Sequence, residues 1–167
     1  MELLKTSTDW ARTELFSTSL FIVFGVAFLL VSIAFWQVGK TDIAKAYIIP
    51  TLVAGALLLI IGLGLTYTNN SRIVEFEQAY NANVQTFIDS EIARAEATLK
   101  EYKTVVFTAI PLIISVCALL LIFMSAPVWR ASLITTIAML AIILLVDGTA
   151  HGRMEVYYDK LMAAKTL

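Results

Sequence analysis

The chain has 167 residues, of which 59% are hydrophobic and 15% are charged, and its net charge is -1 at pH 7. A soluble domain is typically about half apolar and about a quarter charged, so this composition is typical of a membrane protein. Because there is no basic surplus to suggest nucleic-acid binding, no nucleic-acid partner is expected.

The single cysteine and the single histidine limit the redox chemistry that the chain can support. Cys117 has no second cysteine with which to form a disulfide or a CxxC pair. His151 alone cannot supply the two axial ligands of a haem held between paired histidines. The sequence also contains no phosphate loop, zinc signature or Rossmann fingerprint, so no cofactor and no metal are expected.

The amino-terminal part predicts a surface helix followed by a membrane span. Residues 1–15 are mixed in polarity, and Thr8 or Asp9 can cap a helix start. With Trp10 on the membrane side, these residues predict an interfacial helix, and a frayed terminus is the alternative. Residues 16–38 are uncharged and long enough to cross a hydrocarbon core of about 30 Å. They exceed a signal-peptide core of roughly 7–15 residues, which predicts that the segment is retained.

A second uncharged run follows a short polar turn at residues 39–45. Residues 46–68 predict the second span. Gly55, Gly62 and Gly64 are expected to form a thin face that lets a neighbouring helix approach closely. The alternative is that these glycines only reflect the general abundance of glycine in membrane helices.

Residues 69–103 form the only long polar segment between the apolar runs. Its apolar positions recur at an average spacing close to 3.6, which predicts an amphipathic helix with one buried stripe. The chain must return to the membrane, and Asn81 and Asn83 mark the expected reversal. The apolar positions are Ile73, Phe76, Tyr80, Val84, Phe87, Ile88, Ile92, Ala95, Leu99 and Tyr102.

The carboxy-terminal part predicts a second membrane hairpin. Residues 104–125 form the third span, and Pro111 inside it is expected to kink the helix. A turn at 126–130 leads to the fourth span at 131–148, and residues 149–167 continue as a tail helix. The sequence therefore predicts one all-α membrane domain, with four transmembrane helices in two hairpins and helical extensions into the cytoplasm.

Lys and Arg are unevenly distributed between the two sides of this topology. Nine lie at the chain ends and in the connector, and three lie in the two short turns. The excess predicts an inner (cytoplasmic) membrane protein with both termini in the cytoplasm. The nine are Lys5, Arg12, Arg72, Arg94, Lys100, Lys103, Arg153, Lys160 and Lys165, and the three are Lys40, Lys45 and Arg130.

Ionisable residues are absent from the middle of each predicted span, where pumps and coupled transporters usually need them. Instead they gather at the cytoplasmic mouth, where Asp147, His151 and Glu155 recur every four residues and share one helix face. One interpretation is a structural layer in which arginines pair with carboxylates. The other is a ligand, metal or proton site, because histidine and carboxylates are competent ligands. The remaining members of this polar layer are Arg72, Glu75, Glu91, Arg94 and Arg153.

Two stretches carry a resemblance to a known family. They are the run from Leu145 to Tyr157 and the connector positions Arg72, Phe76, Phe87, Glu91 and Arg94. In these residues the chain resembles a family of small bacterial four-span inner-membrane proteins. The resemblance implies the four-span fold, and no activity comes with it. In topology alone the chain is also similar to stator-type proton-channel subunits, but it has no matching motif.

Together these features favour a non-enzymatic membrane protein that acts by association. It would form a homo-oligomer or serve as an accessory subunit or immunity-type partner of a membrane assembly, with membrane lipids as its other partners. The alternative is an ion-conducting or pH- or cation-sensing membrane protein with an acidic cytoplasmic mouth. A membrane enzyme acting on lipid is a third possibility, but the span ends lack the arginine-rich pattern of the small trimeric transferases.

Overall fold

The structure is a computed structural model that describes residues 2–166, in which no residue is in a β-strand. Four stretches of the described chain are long and apolar enough to cross a membrane, so the predicted all-α class is confirmed. Met1 and Leu167, the outermost residues of the predicted interfacial helix and tail, lie outside the described residues. The elements are α1 (Glu2–Val38), α2 (Asp42–Ala46), α3 (Ile48–Ala82), α4 (Val84–Glu101), a π-helix (Tyr102–Ala109), α5 (Ile110–Phe123) and α6 (Pro127–Lys165).

The long helices extend well beyond the thickness of a membrane. The 37 residues of α1 span about 55 Å, whereas the hydrocarbon core is about 30 Å thick. At the end of the molecule that contains the reversal between α3 and α4, parts of α1, α3, α4 and α6 pack around an apolar core of their own. We call this part of the molecule the distal bundle. The buried residues of that core are Trp10, Ala11, Phe76, Phe87, Ile88, Ile92, Ala95, Met154, Tyr157 and Leu161.

The amino-terminal segment corrects one prediction. Residues 2–15 are not a separate interfacial helix but the first part of the continuous helix α1. Trp10 does not face the membrane, because its ring stacks on that of Tyr157 with centroids 4.9 Å apart and an interplanar angle of 9°. Residues at 3–4 spacing along α1, including Ser7 and Ala11, are fully buried. This stripe packs better against protein than against the lipid interface, so the segment becomes the fourth helix of the distal bundle.

The two short connections differ in detail from the predicted turns. The turn at 39–45 contains the start of α2, where Thr41 Oγ1 accepts a hydrogen bond of 3.2 Å from the backbone N–H of Ala44. The turn at 126–130 is shorter than predicted, because α6 already begins at Pro127. A proline fits this position because the first turn of a helix needs no N–H there.

The connector reverses direction at Asn83, where the backbone is extended between α3 and α4. The side-chain Oδ1 of Asn83 accepts a hydrogen bond of 2.9 Å from the backbone N–H of Thr86. The Phe87 ring then packs edge-on against those of Phe76 and Tyr80, with centroids 5.6 and 5.7 Å away. A helix cap and an aromatic cluster therefore fix the reversal in the region where the asparagines predict it.

Replacing Asn83 with alanine is expected to lower the free energy of unfolding by about 1 kcal/mol, because α4 loses its N-terminal cap. Unfolding by sodium dodecyl sulfate in mixed micelles, followed by circular dichroism, measures the change. Asn81→Ala is the matched control, since Asn81 is exposed in the last turn of α3 and alanine is the better helix former. Equal losses in the two variants would contradict the capping role.

The first two spans approach each other closely through glycines. A Cβ at Gly55 would lie 2.9 Å from the carbonyl oxygen of Gly25, and one at Gly62 would lie 3.0 Å from the backbone nitrogen of Ile22. Gly64 corrects the prediction of a common face, because a Cβ there would meet nothing within 4 Å. Two residues along an α-helix correspond to a rotation of about 200°, which turns Gly64 away from Gly62.

Hydrogen bonds between side chains and neighbouring helices hold this pair at both ends. Thr18 Oγ1 lies 3.1 Å from Thr66 Oγ1 near the distal bundle, and Ser32 Oγ donates to the carbonyl of Ile48 at 2.8 Å near the other end. Such small polar contacts favour helix association in lipid. The first two spans therefore form one firmly held unit, and α6 joins it through a smaller apolar core.

The third span leaves this unit through the π-helix that directly precedes Pro111. Proline has no N–H and its ring clashes with the carbonyl four residues earlier. The wider turns accommodate this constraint, with the N–H of Ile110 donating to the carbonyl of Val105. In the described chain, no Cα of α5 or the π-helix lies within 8 Å of a Cα of α1 or α3. The third span therefore packs on α6 alone among the spans.

Candidate functional site

The first part of the polar layer is a buried network in the distal bundle. Arg94 binds Glu91 with two hydrogen bonds, of 2.9 Å from Nε and 2.5 Å from Nη2. The Tyr157 hydroxyl lies 2.8 Å from Glu91 Oε2 and 3.0 Å from Ser7 Oγ. Since a carboxylate is the stronger acceptor, the hydroxyl proton goes to Glu91. The network ties together α1, α4 and α6.

Aromatic rings surround the cation of this network. The Arg94 guanidinium lies 4.6 Å from the centroid of Trp10 and 5.9 Å from that of Tyr157. Burial disfavours the charged form of Arg94, but the hydrogen bonds and charge of Glu91 outweigh it and raise the pKa. The Trp10 indole N–H has no acceptor among the described residues, so ring stacking and the cation hold Trp10 in place.

Burial, and then the charge of Glu91, raise the pKa of Tyr157 above its ordinary value near 10. The unfolded tyrosine therefore loses its proton first as the pH rises. The folded protein is stabilised by keeping the Tyr157 hydroxyl protonated. This stabilisation is fully present below about pH 10 and decreases above it by up to about 1.4 kcal/mol per pH unit. Tyr157→Phe is expected to flatten this alkaline decrease, measured as unfolding midpoints between about pH 8 and pH 11. An unchanged slope would contradict the assignment.

A second ion pair joins α1 to α6 and contains a residue that the sequence analysis missed. Arg153 Nε donates to Glu14 Oε1 at 2.9 Å, and its Nη2 donates to Ser17 Oγ at 2.6 Å. Glu14 is 7% exposed. The sequence does not single out Glu14, because an interfacial helix at residues 1–15 predicts no buried partner for it. The sequence feature that could have identified Glu14 is its 3–4 spacing from Trp10 and Ser17, which places the three residues on one face of α1.

The remaining arginine of the predicted layer has no carboxylate partner. Arg72 Nη1 donates to Asn69 Oδ1 at 3.0 Å, and within the described chain no ion pair involves Arg72. Burial, followed by the neighbouring cation of Arg94, lowers its pKa. Glu75 is exposed and acts on Arg72 only at longer range. Arg72 therefore remains a partly buried cation without an ion-pair partner.

The predicted face of Asp147, His151 and Glu155 does not converge on a single site. His151 Nδ1 lies 3.6 Å from Glu155 Oε2, and its ring packs edge-on against Tyr102 and Phe107. His151, Glu155 and Phe107 border a surface depression, whereas Asp147 and Tyr102 line an internal cavity. Among residues 2–166, no group of three or more His, Cys, Asp or Glu side chains is arranged to hold a metal ion.

Asp147 belongs to what we call the interhelical cavity, which has a volume of about 310 Å³ and lies between α1, α3, α4, the π-helix and α6. It contains ionisable and hydroxyl side chains at the point where the apolar parts of the helices end. Two exposed apolar side chains, Leu65 and Val105, also border it. Its polar lining includes Glu14, Ser17, Thr18, Asn69, Arg72, Arg94, Thr98, Glu101, Tyr102 and Asp147.

The fold is that of a multi-pass helical membrane protein with a polar layer at one end of its spans. Comparison of the chain with protein-family models, with characterised proteins and with solved structures gives no match.

Proposed function

We propose that this protein is a non-enzymatic integral membrane protein that acts by association, as a homo-oligomer or as an accessory or immunity-type partner of a larger membrane assembly. The observation that carries this proposal is the position of α5, which packs on α6 alone among the spans. Leu112, Leu119 and Ile122 on α5 are exposed. In lipid, helices associate through close packing rather than through hydrophobicity, so the free flanks of such a span suit another helix.

The pairing of charges in the polar layer supports the same proposal. Glu91 is bound by Arg94, and Glu14 is bound by Arg153. Glu155 lies beside His151 instead of facing the interhelical cavity. The Arg153–Glu14 pair joins α6 to α1, and Glu91 also accepts a hydrogen bond from Tyr157 of α6. These contacts hold helices together, as a structural ion-pair layer does, and are not gathered around a reacting molecule.

Photo-crosslinking in cells tests the association. A crosslinking residue at Leu119 is expected to give one defined product, and the purified protein in mild detergent should have the mass of an oligomer or of a complex. The control position is Leu58, which is fully buried between helices. A monomeric mass without a crosslinked product at Leu119 would contradict the proposal.

We also propose an inner-membrane location with both termini in the cytoplasm, supported by the nine-to-three distribution of Lys and Arg. Cysteines introduced at Lys40 and Lys100 in a Cys117→Ser background test this topology. A membrane-impermeant thiol reagent should label the first from outside the inner membrane and the second only after permeabilisation. Labelling of both from one side would contradict it.

A second candidate function is ion conduction or sensing of pH or cations. One observation favours it: Asp147 lines the interhelical cavity and has no ion pair within the described residues. Asp147→Asn would then change proton or cation flux in proteoliposomes, or its dependence on pH. Absence of flux from the wild-type protein, or identical flux from the variant, would exclude this function.

A further inference from the structure

The interhelical cavity contains charges that the protein does not neutralise. Arg94 is neutralised by Glu91, and Arg153 by Glu14. Arg72 and Asp147 both line the cavity, but within residues 2–166 neither is within 4.0 Å of an opposite charge. A cation and an anion thus remain separated across one internal space, where each would gain from a partner of the opposite charge.

Further polar groups adjoin these two charges. The Tyr102 hydroxyl lines the cavity and has no hydrogen bond in the described part of the chain, and Glu101 lines it as a second carboxylate. Glu101 lies close enough to Asp147 for their charges to interact. Tyr102 lies beside these carboxylates, since it follows Glu101 directly in the chain and the charge of Asp147 acts on it. One region of the cavity therefore offers the donors of Arg72, and another offers the oxygens of Asp147 and Glu101.

The cavity also opens toward the apolar part of the molecule. Leu65 of α3 and Val105 of the π-helix border it, and they are 39% and 45% exposed. No described Cα of the π-helix or α5 lies within 8 Å of a Cα of α3, so a gap separates the second and third spans. Arg72 lies four residues beyond the predicted end of the second span, or about 6 Å along the helix. This is the depth of lipid headgroups.

We propose that the interhelical cavity binds the headgroup of a phospholipid that carries a primary amine. The phosphate accepts hydrogen bonds from Arg72, and the ammonium donates to Asp147 and Glu101. The acyl chains leave between α3 and the π-helix, past Leu65 and Val105. This inference goes beyond the association proposed above and is independent of it, because a monomer offers the same cavity.

Native mass spectrometry of the full chain tests the site, using phosphatidylethanolamine, phosphatidylglycerol and phosphatidylcholine with identical acyl chains. The wild-type protein is expected to retain phosphatidylethanolamine in preference to the other two. Arg72→Gln should lower this retention by about tenfold, which is the effect of losing one charge-assisted hydrogen bond. Asp147→Asn should remove the preference over phosphatidylcholine, because a quaternary ammonium has no N–H to donate.

Arg12→Gln is the matched control, since Arg12 is an exposed arginine of α1 that has no ion pair among the described residues. Its lipid retention should equal that of the wild type, whereas Arg72→Lys should recover part of the retention lost in Arg72→Gln. Glu101→Gln, at an exposed residue of the cavity lining, provides a milder variant if Arg72→Gln does not fold, and it should weaken the preference for phosphatidylethanolamine over phosphatidylcholine. Equal retention of the three lipids by the wild type, or equal losses in Arg12→Gln and Arg72→Gln, would overturn the proposal. Equally tight binding of free phosphoethanolamine would also overturn it, because the ligand would then not be a lipid.

Discussion

Replacing Glu91 with glutamine is expected to lower the free energy of unfolding by about 3 kcal/mol, because a buried cation loses its carboxylate. Glu91 is 6% exposed and receives both hydrogen bonds from Arg94 and the one from Tyr157. Once the charge of Glu91 is removed, the Arg94 cation has no bound carboxylate and still lies near the Arg72 cation. Unfolding in mixed micelles of increasing dodecyl sulfate content, followed by circular dichroism, measures the loss.

Glu96→Gln on the same helix is the matched control. Glu96 is exposed and accepts one hydrogen bond of 2.7 Å from the exposed Tyr158 hydroxyl, so little change is expected. The double variant Glu91→Gln with Arg94→Gln should be more stable than Glu91→Gln alone, because the unpaired charge is removed. If the single variants at positions 91 and 96 lose the same stability, the buried network does not hold the distal bundle together.

The network matters for more than stability, because it connects helices that are distant in sequence. Tyr157 is 150 residues from Ser7 and 66 from Glu91. Apolar side chains alone would tolerate sliding of one helix along another, whereas the hydroxyl and the carboxylate meet in one register only. The network therefore aligns α1, α4 and α6, and these helices form walls of the interhelical cavity.

Local patterns in the sequence were sufficient for the spans and for the reversal. The uncharged runs and the polar connector predict four spans, and the described chain contains four helices that are long and apolar enough to cross a membrane. Asn83 is found at the reversal because a capping residue acts within three positions of itself. The sequence shows that Pro111 lies inside the third span, but it does not predict the π-helix that precedes this proline, since wider turns have no distinct sequence pattern.

Contacts between distant helices could not be derived in this way. Glu14 and Arg153 are 139 residues apart, and nothing in their local sequence states that they meet. The separation of Asp147 from His151 likewise depends on where the neighbouring helices lie. The orientation of Gly64, by contrast, can be predicted from the sequence, because the 3.6-residue period already places Gly62 and Gly64 on opposite sides of the helix.

Replacing Gly62 with alanine is expected to separate the first two spans and to lower the free energy of unfolding by about 2 kcal/mol, as overpacking of a filled interface does. The new Cβ would lie 2.8 Å from Ile22 Cγ1 and 3.0 Å from the Ile22 backbone nitrogen and from Phe21 Cβ. A side chain can rotate away, but a backbone nitrogen moves only if α1 moves. Dodecyl sulfate titration measures the stability, and spin-label distances between α1 and α3 measure the separation.

Gly64→Ala gives the matched comparison, because it adds the same methyl group two residues further along the same helix and meets nothing within 4 Å. It is expected to leave the spin-label distances unchanged and to keep or slightly raise the stability, since alanine is the better helix former by up to about 1 kcal/mol. The difference between the two variants isolates close packing from helix propensity. If they behave alike, the close approach of α1 and α3 at Gly62 does not contribute to the stability of this hairpin.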